Sequence, residues 1–306
     1  MCEEESAASE ATLPTDAAPP APRRGRRRML ACATLASIVN AFMFMNFSPV
    51  VHITRRRFRV TEGQVSWLYS ASLLATLPCF FAGATRMSNV DTQRGAILAT
   101  HVLNAVAAVL RFASVFRGSY IAAVASSLLL GAGTSLVVAS YAAVPQLWLP
   151  SDERAAGVAF IVQGNYFGWA LGAAATPVAV VDGESFRRFM GLQAIICIMA
   201  LPVARLLLPS SDDRATPLLE APTVARATIG KTCADLVKRP RWCIACVAYA
   251  IAAGVGFAVP AVVDDIFGDV CGAAPRRAVI ITGSVVLAGE AITLSADNEW
   301  KAGSGA

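Results

Sequence analysis

Residues 119–148 read SYIAAVASSLLLGAGTSLVVASYAAVPQLW, an unbroken run with no charged side chain. A helix rises 1.5 Å per residue and the hydrocarbon of a bilayer is about 30 Å thick, so about 20 apolar residues suffice to cross it. The run is long enough to span a membrane, and Pro145 bends or stops it near its end. Outward from it the same signature recurs. Spans are predicted at 29–51, 65–85, 95–115, 119–148, 155–181, 189–208 and 242–267. A weaker eighth, 278–296, carries Glu290, a carboxylate that costs a few kcal/mol at the bilayer centre unless it is paired or wet. Composition agrees: 56% of residues are hydrophobic and 15% charged, against about 45–50% and about 25% in soluble domains. The chain reads as an all-α, polytopic membrane helix bundle.

The charges missing from the spans collect elsewhere. Residues 1–28 begin acidic (Glu3, Glu4, Glu5, Glu10), pass through a Pro/Ala stretch and end in Arg23, Arg24, Arg26, Arg27 and Arg28. Such a segment buries too little apolar surface to fold and is predicted to be a disordered cytoplasmic tail. Its arginines hold the N-terminus inside, and the Lys and Arg of the remaining loops favour the same orientation. Arg55, Arg56, Arg57 and Arg59 run against that rule. Arginines beside a span do not point to nucleic acid. The eight cysteines are scattered, and Cys243 and Cys246, although spaced C-x-x-C, sit in an apolar run with no second ligand pair. No paired carboxylates, metal-ligand sets or nucleophile–base pairs occur at telling spacing. The sequence therefore points to no enzyme, no cofactor and no metal.

The first six spans are joined by short loops, so neighbouring helices pack antiparallel. The polar segment 209–241 then separates them from the rest. Within it Ile229, Cys233, Leu236 and Val237 share a helical face, the pattern of a short amphipathic helix on the membrane surface. Six helices, a long inner linker and further helices form the outline of the major facilitator fold, two six-helix halves in parallel repeat. The expected organisation is a tail (1–28), a complete N-terminal six-helix half (29–208), a cytoplasmic linker (209–241), one or two helices of the C-terminal half (242–296) and a polar tail (297–306).

Polar groups inside the spans mark candidate function. Asn40, Met43, Phe44 and Phe47 fall on one face of the first span. An unpaired amide is expensive in lipid, so that face points into the bundle. Tyr249, Ala253, Gly256 and Phe257 repeat the pattern in the seventh. In the fifth, Gly164, Gly168 and Gly172 form a close-packing stripe, with Gln163 and Tyr166 on a neighbouring face. His101 and Asn104 share a face of the third span, where stitching helices together is the simpler role. Arg111 also lies within that span.

Four stretches then resemble one family in order and spacing. Residues 37–51, SIVNAFMFMNFSPVV, resemble the first helix of the feline leukaemia virus subgroup C receptor family of major facilitators. Residues 148–157, WLPSDERAAG, resemble its loop between the fourth and fifth helices. Residues 164–172, GNYFGWALG, resemble its fifth helix, and residues 234–266 its basic segment and seventh helix. The resemblance implies a carrier of small organic solutes, choline and haem among those proposed for the family. It implies an aromatic cage whose positions fall on Phe44, Tyr166 and Phe257, with Asn165 retained. Phenylalanine attracts cations less than Trp or Tyr does, so choline does not follow. Asp91 and Arg154 stand where the superfamily gates its inner face. The resemblance fades after about Cys271, as though the chain were truncated soon after the second half begins.

The leading expectation is alternating-access transport of a small organic solute, cationic solutes included, by a multi-pass protein of the plasma membrane or an endomembrane. Asn40, Phe44, Phe47, Gln163, Asn165, Tyr166 and Phe257 form the expected binding set, and Asp91 and Arg154 the gate. The expected partners are the solute, the lipid bilayer and, should the chain be a fragment, another membrane chain. Two alternatives stay open: a seven-helix signalling receptor, which needs its N-terminus outside, and a non-transporting fragment of a transporter.

Overall fold

The computed structural model describes residues 23–209, 235–248 and 250–251, without the side chains of Arg23, Val90 and Asp91. The acidic start of the tail, most of the linker with Ile229 and Cys233, the stripe from Tyr249 to Phe257, the eighth candidate with Glu290 and the polar tail lie outside the described residues. Within them the chain is helical and contains no strand.

The elements are α1 (Arg23–Phe44), a single 3-10 turn (Ser48–Val50), α2 (Val51–Phe58), α3 (Glu62–Met87), α4 (Val90–Arg117), α5 (Tyr120–Trp148), α6 (Arg154–Ala179) and α7 (Gly183–Leu207). Five segments are long and apolar enough to cross a membrane: Arg24–Phe58, Glu62–Met87, Thr92–Arg117, Tyr120–Trp148 and Gly183–Leu207. α6 has 26 residues but is diluted by its glycines, Gln163 and Asn165. The long helices alternate in direction. α3 lies on α5, α5 on α4 and α4 on α7, while α1 lies on α6 and touches α4, α5 and α7 as well.

Two expectations about the first span change. Arg24, Arg26, Arg27 and Arg28, assigned by sequence to an unfolded tail, belong to the opening turns of α1. Partners elsewhere in the bundle hold two of them there. Arg26 pairs with Glu153 at 3.6 Å, and Arg28 donates to the Leu206 and Leu208 carbonyls at the end of α7, where the helix dipole favours a cation. The span is also not one helix. Pro49 has no N–H to donate to the Met45 carbonyl, and its ring crowds that carbonyl. α1 stops at Phe44 and the chain resumes as a 3-10 turn and α2, whereas Pro78, Pro145, Pro177 and Pro202 are carried within continuous helices.

That break frees backbone carbonyls in a region without water, and side chains from three other elements satisfy them. Arg111 of α4 donates to the Met43 carbonyl, Thr176 of α6 to Met45 O at 3.0 Å and Thr54 of α2 to Phe47 O at 3.3 Å. Arg111 is 2% exposed. Its guanidinium also reaches Ser126 and Ser127 Oγ at 3.5 and 3.3 Å and lies 4.7 Å from the centre of the Phe47 ring. A buried cation is costly in hydrocarbon; here a carbonyl, two hydroxyls and a π face share it.

The cluster Arg55, Arg56, Arg57 and Arg59, which opposed the orientation rule, belongs to α2 and its cap. Arg57 donates to the Val115 and Phe116 carbonyls at the end of α4, and Arg55 lies 3.6 Å from Glu62. Nearby, Asp182 caps α7. The Ser185 backbone N–H and hydroxyl, then the Glu184 N–H, hold its carboxyl below the usual range.

The α1–α6 contact depends on the absence of side chains. A Cβ on Gly172 would lie 2.6 Å from Phe42 O, and one on Gly168 would collide with the Ile38 carbonyl. Neither neighbour is a flexible side-chain tip. The α1–α4–α5 contact depends on hydrogen bonds instead. Asn40 Nδ2 donates to Asn104 Oδ1 at 2.8 Å, Thr134 Oγ1 donates to Asn40 Oδ1 at 2.9 Å and Asn104 Nδ2 donates to Ala36 O at 3.3 Å. His101 adds a contact to Cys32 O at 3.3 Å, so His101 and Asn104 do stitch helices together.

Gly168→Ala is expected to lower stability in detergent micelles by about 1–3 kcal/mol, the usual cost of overpacking. Gly95→Ala, where an added Cβ meets nothing within 4 Å, should be neutral or stabilising by up to ~1 kcal/mol. Unfolding monitored by tryptophan fluorescence separates the two. Asn40→Ala is expected to cost about 1–2 kcal/mol in the same assay, because it strips Asn104 Oδ1 of its donor in a dry setting.

Candidate functional site

Phe44, the last residue of α1, lies in an aromatic cluster. Its ring stacks on Trp169 of α6 with centroids 5.7 Å apart and meets Tyr69 of α3 edge-on at 5.8 Å. Tyr69 and Trp169 are themselves 6.2 Å apart, nearly perpendicular. Three helices thus contribute one ring each. Phe44 and Tyr69 are buried and Trp169 is half-buried. The α1–α6 leg of this cluster is set by the glycine stripe, since Gly168 and Gly172 flank Trp169 and bring its helix against α1.

The other sequence-derived positions divide. Gln163, Asn165 and Tyr166 lie within two turns of Trp169 on α6, partly open to the outside, Tyr166 at 41% exposure. Gln163 Oε1 is buried and has no hydrogen-bond partner. Asn40 is not part of the ring cluster; it is fully buried in the α1–α4–α5 clasp. Phe47 packs edge-on against Phe58 and Phe186, with centroids 6.0 and 6.2 Å away, beneath Arg111. Phe257 lies outside the described residues.

Sequence reasoning missed Tyr69 and Trp169. Trp169 sits inside the quoted stretch GNYFGWALG, three residues after Tyr166, and its place on the Gln163–Tyr166 side of the helix was a usable signal. Tyr69 gave none: the second span is rich in aromatic residues, and only the meeting of its ring with those of Phe44 and Trp169 selects it.

Arg154 lies at the end of the bundle where α1, α4 and α6 begin and α3, α5 and α7 finish. Its Nε donates to Leu149 O at 3.2 Å, closing the turn between α5 and α6. Asp91 lies in the first turn of α4, its side chain outside the described residues. Among the described side chains at this end, Arg26 pairs with Glu153. Beside it, Trp148 Nε1 donates to Gln93 Oε1 at 2.7 Å and Gln93 Nε2 to Met87 O at 2.8 Å. α1, α3, α4, α5 and α6 are tied together at one end by these few contacts.

This chain is similar to several transporters. It is 25% identical over 170 residues to "Choline/ethanolamine transporter FLVCR1" of Mus musculus, a match covering 55% of this chain and 30% of that protein. It is 24% identical over 192 residues to "Solute carrier family 49 member A3" of Xenopus tropicalis, covering 58% and 38%. It is 23% identical over 171 residues to "Choline/ethanolamine transporter flvcr2a" of Danio rerio, covering 56% and 36%. The matches thus span about a third of each relative's length. The family model of the Major Facilitator Superfamily matches residues 33–296. That match covers most of the chain, and the chain belongs to the Major Facilitator Superfamily.

Proposed function

We propose that this protein serves as a carrier, not an enzyme, and moves a small organic solute across a membrane by alternating access. In this reading α1 with α2, and α3 to α7, make up an N-terminal six-helix half. Residues 209–241 link it to helices of a second half within 242–296. The arginines at the start of α1 hold the N-terminus in the cytoplasm.

The aromatic cluster supports this reading most directly. Three rings from three helices meet at Phe44, and Gln163, whose Oε1 is buried without a hydrogen-bond partner, lies on the same helix as Trp169. A cation against such rings gains about 0.5–2 kcal/mol, more as water is excluded, and carriers of this type hold solute between their halves. The solute class that fits is a small organic cation, the class to which choline and ethanolamine belong. Phe44, Tyr69 and Trp169 hold the charge. Gln163, Asn165 and Tyr166, with Phe257 from the second half, supply the remaining contacts. Asn40 and Phe47 support the site from the core. At the other end Asp91 and Arg154, beside the Arg26–Glu153 pair, form the gate that opens and closes the inner face.

Uptake of labelled choline and ethanolamine into liposomes containing the 306-residue chain tests this. Trp169→Ala should raise KM about 2- to 30-fold, the range set by one cation–π contact, with insertion retained and a lower unfolding temperature because the ring also packs on Phe44 and Tyr69. 3,3-Dimethylbutanol, the uncharged analogue of choline, should compete poorly. If Trp169→Ala and Phe44→Ala leave saturable uptake unchanged, the cluster is not the site. If the neutral analogue competes as well as choline, the solute is not recognised by its charge.

A further inference from the structure

α4 and α7 pack side by side, and at the end of the bundle opposite the N-terminus they leave a groove of about 470 Å³ between them. Its α7 wall is graded along the helix. Glu184, Arg187 and Arg188 line the mouth, and Gly191, Leu192 and Ile195 follow deeper. These residues fall at i, i+3, i+4, i+7, i+8 and i+11, one face of a helix. From Glu184 to Ile195 the rise is about 16 Å, close to the half-thickness of a bilayer core, about 15 Å. Phe116 and, one turn deeper, Phe112 make the α4 wall. Gly191 opens the floor: a Cβ there would come within 3.3 Å of the Phe112 ring.

The apolar part is open rather than packed, with Phe116, Leu192 and Ile195 each more than half exposed. The polar part carries two guanidinium groups. Arg187 lies 2.6 Å and Arg188 3.3 Å from the Glu184 carboxylate, and Arg188 also faces the carboxylate of Asp182. Arg187 Nε is shielded from water and has no acceptor. Guanidinium groups match phosphate oxygens with paired donors. A water-soluble anion would satisfy the mouth but not the trough, and a hydrocarbon chain the trough but not the mouth.

We propose that this groove is a binding site for a single phospholipid, whose phosphodiester docks on Arg187 and Arg188 and whose acyl chain lies along Phe112, Phe116, Leu192 and Ile195. The site is separate from the aromatic cluster and does not depend on the solute carried. A lipid seated there bridges α4 and α7, and lipid composition would thereby act on the packing of these two helices.

Native mass spectrometry of the full chain, released from micelles containing phosphatidylglycerol or diacylglycerol of equal chain length, tests the proposal. The wild type should retain one phosphatidylglycerol and no diacylglycerol. R187Q/R188Q should lose at least tenfold of that adduct, and R187K/R188K should recover part of it, because lysine restores the charge without the paired geometry. Glycerophosphate, a headgroup without chains, should not displace the lipid. Equal retention of diacylglycerol, an unaltered adduct in R187Q/R188Q or displacement by glycerophosphate would each overturn the site. A readout that needs no variant is photocrosslinking of wild-type protein with a diazirine-tailed phosphatidylglycerol. Labelling concentrated on peptides containing Phe112 or Leu192 supports the groove, and labelling spread evenly over the lipid-facing helices overturns it.

Discussion

A backbone carbonyl left without a donor inside hydrocarbon costs several kcal/mol, and the first span of this chain frees a series of them. The helical ladder of α1 stops five residues upstream of Pro49, in the interior of the bundle. The rest of the protein is arranged so that the break is affordable. Arg111, Thr176 and Thr54 come from three different elements to reach Met43, Met45 and Phe47. The side chain of Asn46 meets Gln193 of α7. The interruption is thereby held by α2, α4, α6 and α7 together. Displacing any of these helices would expose a polar group, which makes the break an organising point rather than a weak one.

Close approach supplies the other half of the packing. α6 lies on α1 through glycine, with carbonyls of one helix where the Cβ atoms of the other would be. Dispersion contacts at that distance hold helices together where lipid tails provide no hydrophobic drive. α1 meets α4 through amides and an imidazole instead. One helix is thus gripped by surface fit on one side and by hydrogen bonds on the other. The ring of Phe44, at the end of that helix, is fixed in both directions, and it meets Trp169 and Tyr69 because of it.

The arginines show how a basic, apolar chain distributes its charge. Arg28 and Arg57 terminate helices by donating to their last carbonyls, and each is held near a membrane surface while doing so. Arg26 finds a carboxylate. Arg111 finds neutral oxygen and a π face. In the cluster on α2, Arg57 closes α4 and Arg55 pairs with Glu62. Capping and pairing are local demands, and they place cations irrespective of the side of the membrane.

The sequence by itself determined that the chain is built from long, mostly apolar helices, because length and hydropathy are one-dimensional properties; the break after Phe44 and the helical arginines before it were not legible. It also marked the close-packing glycines, the inward face of Asn40 and the pairing tendency of His101 and Asn104, since small or polar residues at helical spacing have few uses in lipid. Phe44 was legible as a candidate through the motif around it. Only the tertiary structure decided what Phe44 touches, that Asn40 is held in a clasp, that Phe47 belongs to a core under Arg111, and that Arg26 pairs with Glu153. A helix presents the same periodic faces whatever it packs against. The partner of each face follows from the crossing of three or more helices in space, and the sequence of one helix holds no record of that crossing.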